Sequence, residues 1–564
     1  MNRVWTNAYP EGVPPEIDAS AYHSLNALFD RTAAQYADRT AFFSLGATLT
    51  YAELDKLSAQ FASYLQNVVR LHPGARVALM LPNLLQYPVA MFGILRAGCI
   101  VVNCNPLYTA HELHHQLKDS GAEAIVAFEN RAFILQDALE GTDLRSIIVT
   151  QAGDLLGFAR GTAVNFAMRM LKRAVPAWHI AGATTFQAAL KEGAAEKFVP
   201  VDIEPKDIAF LQYTGGTTGV PKGAILTHFN MVANLQQCHS WLAPFLHGDK
   251  DPGQEIVITA LPLYHVFALT ASFTFFKAGG QNVLVADPRN IRGLVAEMRQ
   301  HKFTAFTGVN TLFNALLNNP DFAKLDFSRL TVSLGGGMAI HRAVAERWKQ
   351  VTGHTLIEAY GLSETSPAVT GNPLDIAAFN GSIGLPLPST DVAIRDEAGA
   401  EVAPGEVGEL CVHGPQVMQG YWHKPEETAL VFTPDRYLRT GDLATMDESG
   451  FVRIVDRRKD MIISSGFNIY PNEVEDVVAM HPGVLEVGAV GVPDPVVGET
   501  VRIVVVRKDP ALTAADLISH CRRFLTGYKV PRTVDFAESL PKNAIGKILR
   551  RELRVATQKE SASF

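Results

Sequence analysis

From about residue 50 the chain alternates between short apolar runs of strand length and longer runs with a helical apolar stripe, and this rhythm restricts the fold more than any other feature. Thr50-Tyr51-Ala52-Glu53 reads as a capping box opening a helix with the apolar face Leu54, Leu57, Phe61 and Leu65. Pro73-Gly74 ends it, and Val77 to Leu81 follows as a strand. A helix is predicted from Tyr87 to Ala97, stopped by Gly98, then a strand from Cys99 to Val102. Another helix, about Ala110 to Lys118, stops near Gly121 and gives way to a strand from Ala124 to Phe128. The rhythm resumes with strands at 255–259, 283–285, 304–308, 330–334 and 355–360, with helical segments between them. Alternation of this kind predicts an α/β fold with parallel sheets covered on both faces.

The texture changes from about Asp391 to Arg453, where short strands and Gly/Pro turns predict a small β subdomain. Asp456 to Asp460 is dense in charge, has no apolar period, and marks a boundary. Beyond it, strands at 486–492 and 501–506 and helices at 472–480 and 514–524 suffice for a compact α+β domain. The predicted organisation is a large N-terminal domain, 1–456, with the β subdomain at about 385–456, then a small C-terminal domain, 457–564.

At 564 residues the chain is expected to hold more than one domain, and 47% hydrophobic with 19% charged residues describes a globular protein. A net charge of −7 gives no sign of nucleic-acid binding. Cys99, Cys104, Cys238, Cys411 and Cys521 have neither metal nor disulfide spacing, which fits a reducing cytoplasm. The first twenty residues contain no apolar core of a secretory signal. Val266 to Phe276 is too short to span a bilayer and reads as a buried helix. The stretch 153–180 carries Leu155, Leu156, Phe158, Phe166, Met168, Met170, Leu171 and Trp178 beside Arg160, Arg169, Lys172 and Arg173, with no acidic residue after Asp154. That pattern suits an interfacial helix on anionic lipid, on the cytoplasmic face of a membrane; an ordinary packed surface helix is the equal alternative.

Residues 213–223 read YTGGTTGVPKG, between an apolar run (Ile208 to Leu211) and an apolar-periodic segment from about His228, and are expected to join a strand to a helix. Gly215, Gly216 and Gly219 leave backbone N–H groups open to an anion; Thr214, Thr217 and Thr218 add hydroxyls, and Lys222 a mobile charge. The composition is that of a phosphate cradle. It is not a Walker A loop, because Pro221 precedes Lys222 and Gly223 follows it. A flexible surface loop is the plain alternative.

This loop, Tyr360-Gly361-Leu362-Ser363-Glu364-Thr365, Tyr437-Leu438-Arg439-Thr440-Gly441-Asp442, Asp456-Arg457-Arg458-Lys459-Asp460 and Pro541-Lys542-Asn543-Ala544-Ile545-Gly546-Lys547 stand in one order over more than 300 residues. Together they resemble the signature motifs of the adenylate-forming superfamily, which includes acyl-CoA synthetases, peptide-synthetase adenylation domains and luciferases. Asn83-Leu84-Leu85-Gln86-Tyr87-Pro88 and Leu261-Pro262-Leu263-Tyr264-His265 are similar to the bacterial long-chain fatty-acid–CoA ligases within it, and the likeness runs nearly the full length.

The resemblance implies ATP-dependent activation of a long-chain fatty acid through an acyl-adenylate, then transfer to CoA. It implies pyrophosphate held by the loop, Mg²⁺ held by Thr214 and Glu364, and adenine stacked on Tyr360 with its edge against the backbone of Gly335-Gly336-Gly337. It further implies Thr365 on the α-phosphate, Asp442 and Arg457 on the ribose, and Lys547 bridging carboxylate and α-phosphate. His265 is expected by the substrate carboxylate, with the acyl pocket continuing along Val266, Phe267, Val309, Thr311 and Leu334. The C-terminal domain would turn about Asp460, withdrawing Lys547 and bringing up Ile463-Ser464-Ser465-Gly466-Phe467; many relatives have two glycines where this chain has Ser465-Gly466. A homodimer is left open.

Other readings compete. His111-Glu112-Leu113-His114-His115 matches the zincin pattern H-E-x-x-H, yet no persuasive third ligand follows. A peptide-synthetase domain is disfavoured because no room for a carrier domain follows Arg554. A medium-chain or aryl ligase, a ligase loading a separate acyl carrier protein, and a non-catalytic acyl-binding protein remain as alternatives.

Overall fold

The computed structural model describes residues 3–171, 173–214, 221–246, 254–465, 467–543 and 545–554. Four sheets organise them, of nine, seven, five and four strands. The nine-stranded sheet has a parallel centre of Ile357–Gly361, Val332–Gly335, Ala305–Gly308, Ile256–Thr259, Gln281–Leu284 and Thr40–Ser44, with antiparallel strands at its edges. The seven-stranded sheet is parallel apart from the pairing of Ile208–Thr214 with Lys222–Thr227.

Alternation along the strands shows how both faces are covered. Val77 and Leu79 enter one apolar cluster, while Ala78 and Met80 enter another. The first cluster also takes Phe42 and Leu284 from the nine-stranded sheet, so one core joins the inner faces of both large sheets. Helices Gln86–Arg96 and Val266–Lys277 lie in that core, which explains why both are apolar nearly all round. Phe92 meets Phe273 and Phe276 with ring centroids 5.5 and 5.4 Å apart. The predicted buried helix at 266–276 is therefore observed almost residue for residue. The Thr50–Glu53 capping box forms as expected, with Glu53 N–H donating to Thr50 Oγ1 at 3.1 Å and the Glu53 carboxylate accepting Thr50 N–H at 2.8 Å.

The four-stranded antiparallel sheet, Asp391–Arg395, Gly408–His413, Leu438–Met446 and Val452–Arg457, answers to the expected β subdomain. Residues 462–554 carry the five-stranded sheet, with an apolar core of their own built on Ile462, Val474, Val487, Ile503 and Leu517.

One expectation needs correction. Residues 213–223 do not run from strand to helix: Lys222–Thr227 is a strand that pairs antiparallel with Ile208–Thr214, and the helix His228–Leu242 begins only afterwards. Gly223, Ala224 and Leu226 are buried, and Thr227 closes a capping box with Asn230, so the helix cannot start earlier. The zincin-like pattern lies on the helix Ala110–Ser120, but Glu112 is the N3 residue of a capping box and accepts Thr109 N–H at 2.8 Å. That carboxylate stabilises a helix end.

The helices Tyr51–Ser63 and Phe186–Ala195 approach so closely that a Cβ on Gly193 would stand 1.9 Å from the carbonyl oxygen of Gln60. Gly193→Ala is expected to lower the first thermal unfolding midpoint by a few degrees, a cost on the order of 1–3 kcal/mol. Gly527→Ala, where a Cβ meets nothing within 4 Å, is the neutral control in the same melt.

Candidate active site

The expected site residues come from separate sheets, and the fold gathers most of those described. Tyr360 ends a central strand of the nine-stranded sheet; Asp442 and Arg457 lie opposite each other on paired strands of the four-stranded sheet. Tyr360 O–H donates to Asp442 Oδ2 at 2.5 Å, and Arg457 Nε lies 3.2 Å from Asp442 Oδ1. Asp442 is 4% exposed, so its two oxygens are each held by a donor. Burial first, then the Asp442 charge, pushes the Tyr360 phenol well above its ordinary pKa and keeps the hydroxyl protonated.

Gly335 ends the strand Val332–Gly335 beside Tyr360's strand. A Cβ on Gly336 would stand 3.2 Å from the carbonyl oxygen of Ala359 and 3.3 Å from the Phe267 ring, and Gly337 adopts φ +76°. These constraints hold a flat backbone wall next to the tyrosine. Glu358, which sequence reasoning passed over, anchors that wall: its buried Oε1 accepts Ile340 N–H at 3.2 Å. Burial pushes its carboxyl up to about 8.

Glu364 sits on a turn packed against the strands Ile208–Thr214 and Lys222–Thr227. Its Oε1 accepts Tyr421 O–H at 2.8 Å, and Tyr421 was another omission of the sequence reading. Lys222 is not the free cation expected: it pairs with Glu427 and lies 5.2 Å from the Tyr421 ring centroid. Thr365 also departs from expectation. It is fully buried, and its hydroxyl lies within hydrogen-bond reach of the Leu362 and Pro367 carbonyls while accepting Leu362 N–H at 3.0 Å. Here its hydroxyl ties the turn together. Gly215, Gly216, Thr217, Thr218 and Gly219 lie outside the described residues.

His265 caps the helix Val266–Lys277, with Nδ1 accepting Phe267 N–H at 3.4 Å. Burial, and then the charge of Lys547, lowers its pKa to about 4. The ring is neutral near pH 7, and acceptance at Nδ1 leaves its proton on Nε2. Next to it, Phe267 and Val309 join Leu261, Ala268, Leu312 and Met338 in a small apolar cluster. The other expected lining residues point elsewhere. Val266 faces the main core, Leu334 packs with Val257 and Phe275, and Thr311 donates to the Gly546 carbonyl at 3.1 Å.

That last bond seats the loop of Lys547. Asn543 Oδ1 accepts Ile545 N–H at 3.2 Å and Lys547 N–H at 2.9 Å, closing the loop on itself. Gly546 has φ +90°, and a Cβ there would stand 2.7 Å from Thr311 Oγ1, so only glycine fits without strain. The ammonium of Lys547 is thereby brought into the field of Arg457, Asp442 and His265. Desolvation first, with Arg457 and Arg550 opposing a further charge, lowers its pKa to about 7 despite Asp442 and Asp460. Nearby, Arg550 lies 3.0 Å from fully buried Asp456 and 2.6 Å from Glu475, and both Arg550 (3.7 Å) and Arg554 (3.5 Å) approach Asp460. The basic run around Lys547 is thus partly an internal network, not a solvated face. Ser465 adopts φ +50°, a conformation glycine takes at lower cost.

Replacing Gly546 by alanine should unseat Lys547. Acyl-adenylate formation by Gly546→Ala is expected to slow about tenfold or more, in line with 1–3 kcal/mol of backbone strain, at unchanged thermal stability of the N-terminal unit. Equal rates for variant and parent would show that the loop's docking is immaterial.

Comparison with known proteins fits this geometry. Residues 29–422 match the family model of the AMP-binding enzyme, and residues 473–547 that of the AMP-binding enzyme C-terminal domain. The chain is 56% identical over 555 residues, 98% of each chain, to a long-chain-fatty-acid–CoA ligase of Salmonella typhimurium. Among solved structures it resembles the anthranilate CoA ligase AuaEII in complex with anthranoyl-AMP, with TM-score 0.84 and 24% identity over 97% of this chain and 100% of that one. It also resembles ATP-bound MatB from Rhodopseudomonas palustris, with TM-score 0.76 and 30% identity over 94% of this chain and 99% of that one. With family models matched over residues 29–422 and 473–547 and a relative aligned over 98% of its length, the chain belongs to the AMP-binding enzyme family.

Proposed function

We propose that this protein joins long-chain fatty acids to CoA in two half-reactions, with release of pyrophosphate and AMP. The observation that carries this reading is the delivery of Lys547 to the cluster of Asp442, Arg457 and His265. A fatty carboxylate is a poor acyl donor, because its leaving group would be oxide. In the first step its oxygen attacks the α-phosphorus of ATP, a P–O bond forms, and the bond to pyrophosphate breaks. Two anions must meet, so cations and donors aimed at the phosphate lower the barrier. Lys547 would supply the charge between carboxylate and α-phosphate, and the Nε2–H of neutral His265 would orient the carboxylate. Asp442, freed from Tyr360 O–H or Arg457 by a ribose hydroxyl, would fix the nucleoside, with the Tyr360 ring and the Gly335–Gly337 wall enclosing the base.

Glu364 and Thr214 fit Mg²⁺ as far as donor type goes: one carboxylate with an oxygen not taken by Tyr421, and one hydroxyl. Mg²⁺ takes few protein oxygens and fills its octahedron with phosphate and water, so no cluster of carboxylates is required. When bound, it would neutralise charge on the leaving pyrophosphate.

In the second step the thiol sulfur of CoA attacks the acyl carbon, the thiol proton is lost, and AMP departs with the C–O electron pair. For the second step residues from 457 onward would rotate about Asp460, withdrawing Lys547 so that the thiol can enter. Lys547→Ala is expected to slow acyl-adenylate formation by at least a hundredfold while sparing thioester formation from supplied acyl-adenylate. In the parent enzyme kcat/KM for adenylation should fall as pH rises through about 7, because Lys547 loses its proton there. Equal loss of both half-reactions in the variant contradicts the role; parent enzyme that never yields AMP from palmitate, ATP and Mg²⁺ contradicts the function.

The segment 153–180 supports peripheral contact with a membrane. No helix among the described residues is long and apolar enough to cross one. The helix Phe158–Phe166 docks through a backbone contact so tight that a Cβ on Gly161 would stand 2.3 Å from the Gly153 carbonyl oxygen. Its Val164, and Met168 of the turn Ala167–Leu171 that follows, reach the main core, while Phe158 (92% exposed), Phe166, Met170 and Leu171 remain outside beside exposed Arg160 and Arg173. Exposed apolar side chains flanked by cations suit an anionic bilayer. Phe158→Ser with Phe166→Ser is expected to reduce sedimentation with phosphatidylglycerol vesicles at least fivefold without altering activity on a micellar substrate; undiminished sedimentation would remove the assignment.

A further inference from the structure

We propose that His341 and Asp476 form a latch that holds the C-terminal unit in the position that delivers Lys547, making His341 a positioning residue for the first half-reaction alone. The inference rests on the two-step reading above and adds a residue that none of its motifs contains.

Three described contacts off the hinge tie the C-terminal unit to the nine-stranded sheet and its helices. Two are neutral hydrogen bonds to backbone: Thr311 Oγ1–H to the Gly546 carbonyl at 3.1 Å, and Asn314 Nδ2–H to the Leu485 carbonyl at 2.8 Å. The third joins side chains. His341 Nδ1 lies 2.7 Å from Asp476 Oδ1, which belongs to the helix Pro471–Ala479. His341 is the N-cap position of the helix Arg342–Thr352, and its own N–H donates to Asn310 Oδ1 at 3.0 Å. The backbone is thus fixed and the ring is aimed across the cleft. The preceding residue, Ile340, is the one whose N–H is held by Glu358, so the latch is one residue from the anchor of the Gly335–Gly337 wall.

The remaining ion pairs among the described residues that join the two parts, Arg457 with Asp442, Arg458 with Glu397 and Glu409, and Arg550 with Asp456, each include a residue of the hinge run itself. A rotation about Asp460 displaces those groups least, because they lie closest to the pivot. It cannot preserve a contact made at Asp476, on a helix that must leave the large unit. The latch therefore contributes only in the adenylate-forming arrangement, and its strength shifts the balance between the two arrangements.

The charges around the ring favour its cationic form. Burial opposes protonation, but the hydrogen bond and charge of Asp476, and then Glu475 on the same helix, outweigh it against Arg550, leaving the pKa raised. Arg347 from His341's own helix and Lys508 and Glu486 from the C-terminal unit line the same crevice, and Glu358 faces Asp476 from the strand behind. Below the raised pKa the contact is an ion pair; as pH rises through it, the ring loses its charge, only a hydrogen bond from neutral imidazole to the carboxylate remains, and the latch weakens.

The test compares full-length parent, Asp476→Asn and Asp476→Glu in both half-reactions from pH 6 to 9. Asp476 is 53% exposed, so neither change threatens the fold, and thermal melts should agree. Asp476→Asn is expected to slow single-turnover acyl-adenylate formation from palmitate and ATP·Mg²⁺ about threefold at pH 6.5, with the deficit shrinking toward pH 9. Thioester formation from supplied palmitoyl-adenylate and CoA should be unchanged or faster, and Asp476→Glu should restore adenylation. Parent-like adenylation by Asp476→Asn at every pH, a deficit independent of pH, or equal slowing of both half-reactions would overturn the latch. Parent enzyme that makes no acyl-adenylate would instead overturn the two-step reading.

Discussion

The structure depends on how one buried guanidinium is satisfied. Arg550 reaches Asp456, Glu475 and Asn472 at once and lies 3.7 Å from Asp460, so the hinge run, a helix of the C-terminal unit and the last described segment meet at a single cation. Removing charge from water is costly, and such a cluster contributes less to stability than to geometry. What it fixes is position. Lys547 lies three residues before Arg550, in a loop closed by Asn543 and seated on Thr311 through Gly546. With the guanidinium held in its protonated form by three carboxylates, the backbone that carries the lysine has little freedom of its own.

The lysine is in turn the least settled charge nearby. Its pKa of about 7 reflects withdrawal from water among Arg457 and Arg550, with Asp442 and Asp460 only partly compensating. A cation in such surroundings gains most from a new anion, and a triphosphate is a stronger one than any neighbouring carboxylate. The neutral His265 fits the same logic, since a second cation beside Lys547 would compete with it. Lys222 is paired with Glu427, and Asp442 with Arg457 and Tyr360, so both charges are balanced within the chain.

The large-scale fold was legible because its signals are local and periodic. The strand at Ala124–Phe128 and the helices around 86–96 and 266–277 follow from apolar runs bounded by glycines and caps. The pairing of Ile208–Thr214 with Lys222–Thr227 was missed because the second strand is short, begins with a charge and abuts a capped helix, so that its apolar positions merge with the helical pattern. Thr311 and Leu334 were read as pocket residues from their places at element ends, but an element end can face either a cavity or a partner. Thr311 faces Gly546, 235 residues on.

By itself the sequence determined the alternation that makes two sheets share a helical core, the order of the motifs, and the chemical types available to a nucleotide site. These depend on spacing along the chain, which is written in it. The tertiary structure alone decided that Thr365 turns inward, that Tyr421 and Glu358 brace the site, and that His341 meets Asp476. Each of those outcomes is a contact between side chains far apart in sequence or a choice of rotamer. Such choices are made by packing and by the cost of leaving a buried polar group unpaired, and neither leaves a periodic trace in the chain.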